Sequence, residues 1–246
     1  MTRLLISGAC GRMGRLVAQE AKAQGFEVVC GVDPAGSQYA DFPVFTDFSD
    51  EVPEADVLID FSAPAALEPL LRFAQARRLP CVLCATGYGP EHMARIRGAA
   101  DAMPVLQSAN MSRGVYALRK LAALARELLP GFDIEIVEKH HNLKADSPSG
   151  TAYALLDAVK NEGTAPVFGR KGNTGKRAAE EIGVHAVRGG TVAGEHEVGF
   201  YGRHEVVTLT HSAQSPLIFA LGALSAAAWL AGRGPGLYGM DDMMEG

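Results

Sequence analysis

A regular alternation of short apolar runs with helical ones fills the first half of the chain, and few folds accommodate it. Asp56-Val57-Leu58-Ile59-Asp60-Phe61, Pro80 to Cys84 and Pro104 to Ser108 read as strands with almost no polar interruption. Between them, Ala65 to Arg77 and Glu91 to Ala102 read as helices. A strand that is apolar on both sides needs cover on both faces, which is the condition of a parallel sheet in an α/β fold. The alternation begins with a strand at residues 3–8, the turn Gly8-Ala9-Cys10-Gly11-Arg12-Met13-Gly14 and a helical run to Ala23. Glycines at such a turn let the backbone approach a pyrophosphate, and the helix start offers unpaired N–H groups. The spacing is GxxGxxG, not the strict GxGxxG. A second strand, Glu27 to Asp33, ends in an acid 25 residues after Gly8. That is the place for a carboxylate that binds the adenosine ribose hydroxyls. It favours NADH, because the 2′-phosphate of NADPH would meet like charge, although Arg12 offers an offset and leaves dual use open. Thr86 and Asn110 are further candidates in the turns after later strands.

From about Val115 the pattern changes. A helix to Leu129 leads to the strand Asp133-Ile134-Glu135-Ile136-Val137, and strand-like runs recur at Ile182 to Val187, Thr191 to Phe200 and His204 to Thr210. Nearby strands with short connections predict a mixed, largely antiparallel sheet. An apolar helix, Pro216 to Ala231, follows that sheet and is expected to return to the first domain. The expected domains are therefore 1–113 completed by 214–246, for the dinucleotide, and 114–213, an α+β domain with an open mixed sheet for substrate and association. An open sheet with one apolar face invites subunit packing.

Between the strand at 133–137 and a helix expected over Ala152 to Lys160 lies Glu138-Lys139-His140-His141-Asn142-Leu143-Lys144-Ala145-Asp146-Ser147-Pro148-Ser149-Gly150-Thr151. Strand-to-helix connections are where function concentrates. His140 has the side chain for proton transfer near neutral pH, and Lys144 for donating a proton or holding a carboxylate. Ser149, Gly150 and Thr151 would open the helix and present an anion site. Together they predict a pocket for a small acidic substrate that gains a proton. A metal is not expected: adjacent His140 and His141 diverge, and no Cys or second His follows at ligand spacing. The basic segment Arg170 to Arg177 reads either as a cover for an acidic substrate or as a solvated loop.

Net charge of −5 implies no broad basic surface for nucleic acid. The apolar run at the start is too short for a signal peptide. Val206 to Gly232 lacks Asp, Glu, Lys and Arg, but Ser212, Gln214, Ser215 and Pro216 split it, and the helical part is short for a membrane span. Cys81 and Cys84 form a CxxC within a predicted strand, where positions three apart face opposite sides, so they read as buried thiols of a reduced, cytoplasmic protein.

These residues resemble the 4-hydroxy-tetrahydrodipicolinate reductase (dihydrodipicolinate reductase) family over nearly the whole chain. The resemblance rests on Gly8 to Gly14, Asp60-Phe61-Ser62, Ala85-Thr86-Gly87, Ser108 to Ser112, Arg188-Gly189-Gly190, Gly194-Glu195-His196 and above all the HHxxKxDxPSGTA pattern from His140. It implies NAD(P)H-dependent reduction of 4-hydroxy-tetrahydrodipicolinate in lysine and diaminopimelate biosynthesis, by a cytoplasmic homotetramer associated through the second domain's sheet. His140 then matches the catalytic proton donor or acceptor, and Lys144 the proton donor. His141, Gly150 and Thr151 match substrate contacts, with Ser149 nearby. Gly8, Ala9, Cys10, Gly11, Arg12, Met13, Asp33, Cys84, Ala85, Thr86, Ala109, Asn110, Met111 and Ser112 match cofactor contacts. The chain departs from the pattern at Pro34, where some members carry an Arg, and at Cys84-Ala85-Thr86, where Gly-Thr-Thr is commoner. Two other readings are another two-domain NAD(P)-dependent dehydrogenase, which has no reason to carry the HHxxKxDxPSGT pattern, and a non-catalytic NAD(P)H-sensing regulator, for which no partner or DNA element is evident.

Overall fold

The computed structural model describes all 246 residues. In chain order the elements are β1 (Thr2–Ser7), α1 (Arg12–Ala21), β2 (Phe26–Val32), β3 (Val44–Phe45), β4 (Val57–Asp60), α2 (Leu67–Arg77), β5 (Cys81–Leu83), α3 (Pro90–Ala100) and β6 (Pro104–Gln107). There follow α4 (Arg113–Leu128), β7 (Asp133–His140), α5 (Gly150–Val159), β8 (Ala165–Phe168), β9 (Glu181–Arg188), β10 (Glu195–Tyr201) and β11 (Val206–Ser212). The chain ends with α6 (Leu217–Leu230), β12 (Gly236–Tyr238) and α7 (Met240–Glu245). It divides into two compact units, Met1–Met111 with Leu217–Gly246, and Ser112–Pro216. The borders expected from sequence fell after residue 113 and before residue 214.

The first unit is built on one parallel sheet in the order β12-β6-β5-β4-β1-β2-β3. Its central strands β4, β5 and β6 are buried on both sides, which is why their sequences run apolar without alternation. Leu5, Leu58, Leu83 and Val105 face a core completed by Leu67, Leu70 and Phe73 of α2 and Ile96 and Ala99 of α3. The neighbouring positions Leu4, Ile6, Ile59, Val82 and Leu106 are equally buried and point to the other face. α1 and α6 pack together there, and α6 also lies on β4, β5 and β6. α6 approaches closely because it presents small side chains, Ala220, Ala223, Ala226 and Ala227, all fully buried. The order of strands reverses at β1, with β2 on one side and β4 on the other, and the turns after these strands share one edge.

The second unit holds a sheet in the order β11-β10-β7-β9-β8. β7 and β11 each pair antiparallel with β10, whereas β7 and β8 each pair parallel with β9. The sheet is mixed, but the expectation that it would be largely antiparallel is corrected. α5 stands between β7 and β9 in the chain, and a crossover of that kind delivers the next strand parallel. β8 was not anticipated, because Ala-Pro-Val-Phe is short, half polar in its surroundings and mostly exposed. Ile134, Ile136, Ile182, Val184, Val198 and Phe200 cover one face and pack on Leu118 and Ala122 of α4 and Leu155, Leu156 and Val159 of α5. The opposite face carries Glu135, Lys139 and Glu197, with Val187, Tyr201 and Val206 exposed among them. No helix of the chain is long and apolar enough to cross a membrane.

Candidate active site

β7 alternates with period two, so Ile134, Ile136, Glu138 and His140 share the buried side of the sheet. The last two place a carboxylate and an imidazole where the pattern otherwise puts isoleucine. Glu138 has no exposed side-chain surface and is saturated. Its Oε2 accepts from His140 Nδ1 at 2.6 Å and Arg188 Nη1 at 2.8 Å. Its Oε1 accepts from Arg188 Nη2 at 2.8 Å and the Ser149 N–H at 3.0 Å. The two-pronged arginine contact matches guanidinium to carboxylate geometry. Burial pushes the Glu138 carboxyl up, but the bonds from Arg188 and His140 outweigh it and hold it below its ordinary value.

His140 is itself buried, and burial outweighs the pull of Glu138 to keep its pKa below the usual imidazole value. Near neutral pH it is therefore uncharged, and with Nδ1 donating to Glu138 its lone pair lies on Nε2. The backbone at Gly194 passes that nitrogen so closely that a Cβ there would stand 3.1 Å from Nε2. His196 of β10 packs edge-on against His140, with ring centroids 5.1 Å apart. Burial and the neighbouring His140 bring the His196 pKa down to about 4.

Beyond β7 the loop turns through Asn142, whose N–H is bound by the Gly190 carbonyl at 3.2 Å. Lys144 Nζ lies 2.8 Å from Asp146 Oδ1, an acid whose side chain is 62% exposed. The Lys144 side chain is itself only 20% exposed, so the pair is half-buried on the lysine side. His141 is half-buried, and its Nδ1 is buried without a partner. The Ser147–Pro148 peptide is cis. Ser149 then caps α5, its Oγ accepting from the Ala152 N–H at 3.1 Å. The helix runs from Gly150 to Val159, starting within the expected Ser149 to Thr151 and ending one residue short of the expected Lys160. The same hydroxyl lies 3.0 Å from His196 Nε2. Ser149 is thus buried and committed on both its N–H and its hydroxyl, while Gly150 is exposed and Thr151 half-buried.

In the first unit the glycine turn is held tightly. Gly8 has φ +74°, and a Cβ there would lie 2.8 Å from the backbone of Phe61 and Ser62. α1 starts at Arg12 with Gly11 in the cap position and no side-chain cap. The Arg12 and Met13 end of the helix therefore has backbone N–H groups that no side chain caps. Ala9 is buried, and Arg12 is exposed. Asp33 folds back onto the turn: its Oδ2 accepts from the Cys10 N–H and its Oδ1 from the Ala35 N–H, both at 3.0 Å. Asp60, at the end of β4, is fully buried and binds the Ser62 N–H at 3.0 Å and the Tyr88 hydroxyl at 3.2 Å. Burial pushes its pKa up. Thr86 is exposed beyond buried Cys84 and Ala85. In the last turn Ala109 is exposed, the Asn110 N–H meets Ser108 Oγ at 3.3 Å and Met111 is buried. Ser112 caps α4, its Oγ accepting from the Val115 N–H at 3.2 Å and lying 3.4 Å from His211 Nε2.

Cys10, Cys30, Cys81 and Cys84 are all free thiols. Burial raises Cys30 to about 12 and also pushes Cys81 and Cys84 up, so the CxxC pair is built as packing. The basic loop does not stand free. Arg170 forks onto Glu135 at 2.8 and 2.9 Å, Arg177 binds Glu135 and Asp133, and His185 binds Glu135 at 2.8 Å. Two of the loop's cations are thus spent on the open side of β7, the side opposite His140. No group of three or more His, Cys, Asp or Glu side chains is arranged to hold a metal.

Glu138, Arg188 and His196 were in view from sequence but carried no role. The usable signal was Glu138, an acid on the apolar side of an alternating strand, which demands a partner. Nothing in the sequence pairs it with Arg188, 50 positions later.

Residues 2–111 match the family described as dihydrodipicolinate reductase, N-terminus, and residues 114–244 the one described as dihydrodipicolinate reductase, C-terminus. The 4-hydroxy-tetrahydrodipicolinate reductase of Caldanaerobacter subterraneus is 47% identical, covering 100% of this chain and 99% of its own. That of Clostridium tetani is 41% identical, covering 99% and 97%. A dipicolinate-bound dihydrodipicolinate reductase from Paenisporosarcina sp. TG-14 shares the fold with a TM-score of 0.77 at 23% identity, covering 98% of this chain and 99% of that one.

Proposed function

The chain belongs to the dihydrodipicolinate reductase family, and we propose from that premise that it reduces 4-hydroxy-tetrahydrodipicolinate to tetrahydrodipicolinate and water with NAD(P)H. The observation that carries the reading is the loop from His140 to Thr151, which gathers a neutral imidazole, an ammonium and the Ser149-capped start of α5. Relatives across the full length bear the reductase's name, and one was solved with a dicarboxylate bound.

The dinucleotide would be held by Gly8, Ala9, Cys10, Gly11, Arg12 and Met13, by Asp33, and by the turns Cys84-Ala85-Thr86 and Ala109 to Ser112. The close Gly8 turn and the uncapped start of α1 fit a pyrophosphate. Bound there, the reduced nicotinamide supplies the hydride. Asp33, tied to the Cys10 N–H and followed by Pro34, sets the adenosine end toward NADH. The net reaction consumes one proton. Lys144 donates it, after leaving its exposed partner Asp146 for the substrate's charge. His140 accepts and returns protons at Nε2. Gly150, Thr151 and His141 hold the carboxylates, and Ser149 acts by shaping the helix start.

We further infer a homo-oligomer, a tetramer by family resemblance, joined through the open face of the second sheet, where Val187, Tyr201 and Val206 are exposed. The four free thiols accord with the cytoplasm.

The test is loss of nicotinamide absorbance with freshly generated substrate, NADH and NADPH in parallel. Substrate-dependent oxidation, faster with NADH at low concentration, is expected. Tight cofactor binding without oxidation would overturn the reaction and favour a sensor or a different dehydrogenase.

A further inference from the structure

Most ionised groups in this chain lie at its surface. Glu138 is an exception, a charge with no exposed side-chain surface set into the apolar side of β7. A buried ion pair is seldom the cheapest way to fill such a position, since apolar residues of similar volume serve stability as well. Stability alone thus gives little reason for Glu138 and Arg188. Their geometry gives another. The carboxylate accepts from four donors, and the shortest of these contacts, 2.6 Å, is to the ring that would exchange a proton with substrate.

We propose that Glu138, locked by Arg188, is a positioning residue that holds His140 in one tautomer with Nε2 as its free nitrogen, and that His196 fixes the ring plane from the other side. A carboxylate beside Nδ1 dictates which nitrogen carries the proton, the task of the third group in many base-assisted sites. Arg188 keeps its fork closed through its own anchor, Nη2 to the Asp146 carbonyl at 2.7 Å. Because Asp146 also pairs with Lys144, the two proposed proton-handling groups are tied to one frame. His196 is buried, packs edge-on to His140 and is anchored at Nε2 by the Ser149 hydroxyl. Gly194 leaves the approach to Nε2 clear, where any side chain would begin 3.1 Å away. The charged and titratable groups that bear on His140 are Glu138 on its own strand, Arg188 on β9, His196 on β10 and Lys144 in the loop. Glu138 alone among them favours the protonated ring.

The proposal rests on the catalytic reading of His140, so the test separates the two. The ring nitrogen signals of the unsubstituted protein, by NMR on histidine-labelled chain, should show His140 with Nδ1 protonated and Nε2 bare at pH 7.5. Glu138→Gln should lower kcat roughly 100-fold or more, with dinucleotide affinity within about 3-fold. The acid limb of its pH–rate profile should move to lower pH, because the group favouring protonation is gone. Glu138→Asp, which keeps the charge, should recover part of the rate and return the limb. A role in folding alone would lower the amount of active protein and leave the limb in place. His140→Gln retaining full turnover would remove the catalytic reading itself. His140→Gln inactive beside a Glu138→Gln with ordinary kcat and pH limb would overturn the positioning role alone. A resting His140 with Nε2 protonated would overturn it too, even if the Glu138 variants failed to fold.

Discussion

Replacing Gly14 with alanine tests how closely α1 must sit on the turn that precedes it. The added Cβ would stand 2.3 Å from the Gly8 carbonyl oxygen and 2.8 Å from Ala9 Cα. An ordinary carbon-to-oxygen approach is about 3.3–3.6 Å, so the helix start must retreat by roughly 1 Å. Both obstacles are backbone, so no side-chain rotation relieves them. Overpacking of this kind costs about 1–3 kcal/mol. The same shift carries the N–H groups of Arg12 and Met13 away from a bound pyrophosphate. Losing one hydrogen bond to a charged group costs about 1.5–3 kcal/mol, roughly 10- to 150-fold in affinity. Gly98 supplies the control. It lies exposed within α3 with nothing within 4 Å of its would-be Cβ. Gly98→Ala should stabilise by roughly 0.5–1 kcal/mol through helix propensity. Denaturant midpoints and NADH titration by fluorescence read both effects. A Gly14→Ala protein that unfolds with the parent and binds NADH equally would refute the reasoning.

Two further outcomes are expected. Glu135 has its carboxyl lowered to about 2: burial pushes it up, but Arg170, His185 and Arg177 pull it down further. A depressed acid stabilises the folded state above its unfolded value, so this contribution, up to about 3 kcal/mol, is full above pH ~5 and fades as pH falls through about 2. Acid unfolding curves of Glu135→Gln should lack that component, and coincident curves would contradict it. Asp33→Asn should lower the KM for NADPH about 10-fold or more relative to that for NADH, as measured by steady-state kinetics; an unchanged ratio would take Asp33 out of cofactor choice.

What could be read from sequence depended on how many sides of an element are buried. β4, β5 and β6 are covered on both faces, so their composition alone marks them. The glycine turn and Asp33 were legible because backbone approach and a strand-end acid leave local traces. β8 leaves none, since it is short and exposed. The parallel pairing of β7 with β9 is a long-range fact, set by where α5 crosses. The loop at 138–151 announced His140, Lys144 and the helix start, because those groups lie within one stretch. It could not announce that Ser149 spends both its polar groups on Glu138, Ala152 and His196, nor that the basic loop turns to Glu135. The contacts to His196 and from Arg170 to Glu135 join residues 47 and 35 positions apart, and single-sequence spacing carries no record of them.

The central claim is that proton handling belongs to His140 and Lys144 while the dinucleotide is held by the turns of the first unit. The direct test is turnover and NADH affinity measured together on His140→Gln combined with Lys144→Ala. General acid–base groups contribute about 10²- to 10⁴-fold. The account predicts that kcat falls at least 100-fold with NADH dissociation unchanged within about 3-fold. Turnover that persists near the parent rate, or NADH affinity that falls in step with it, would contradict that division of labour.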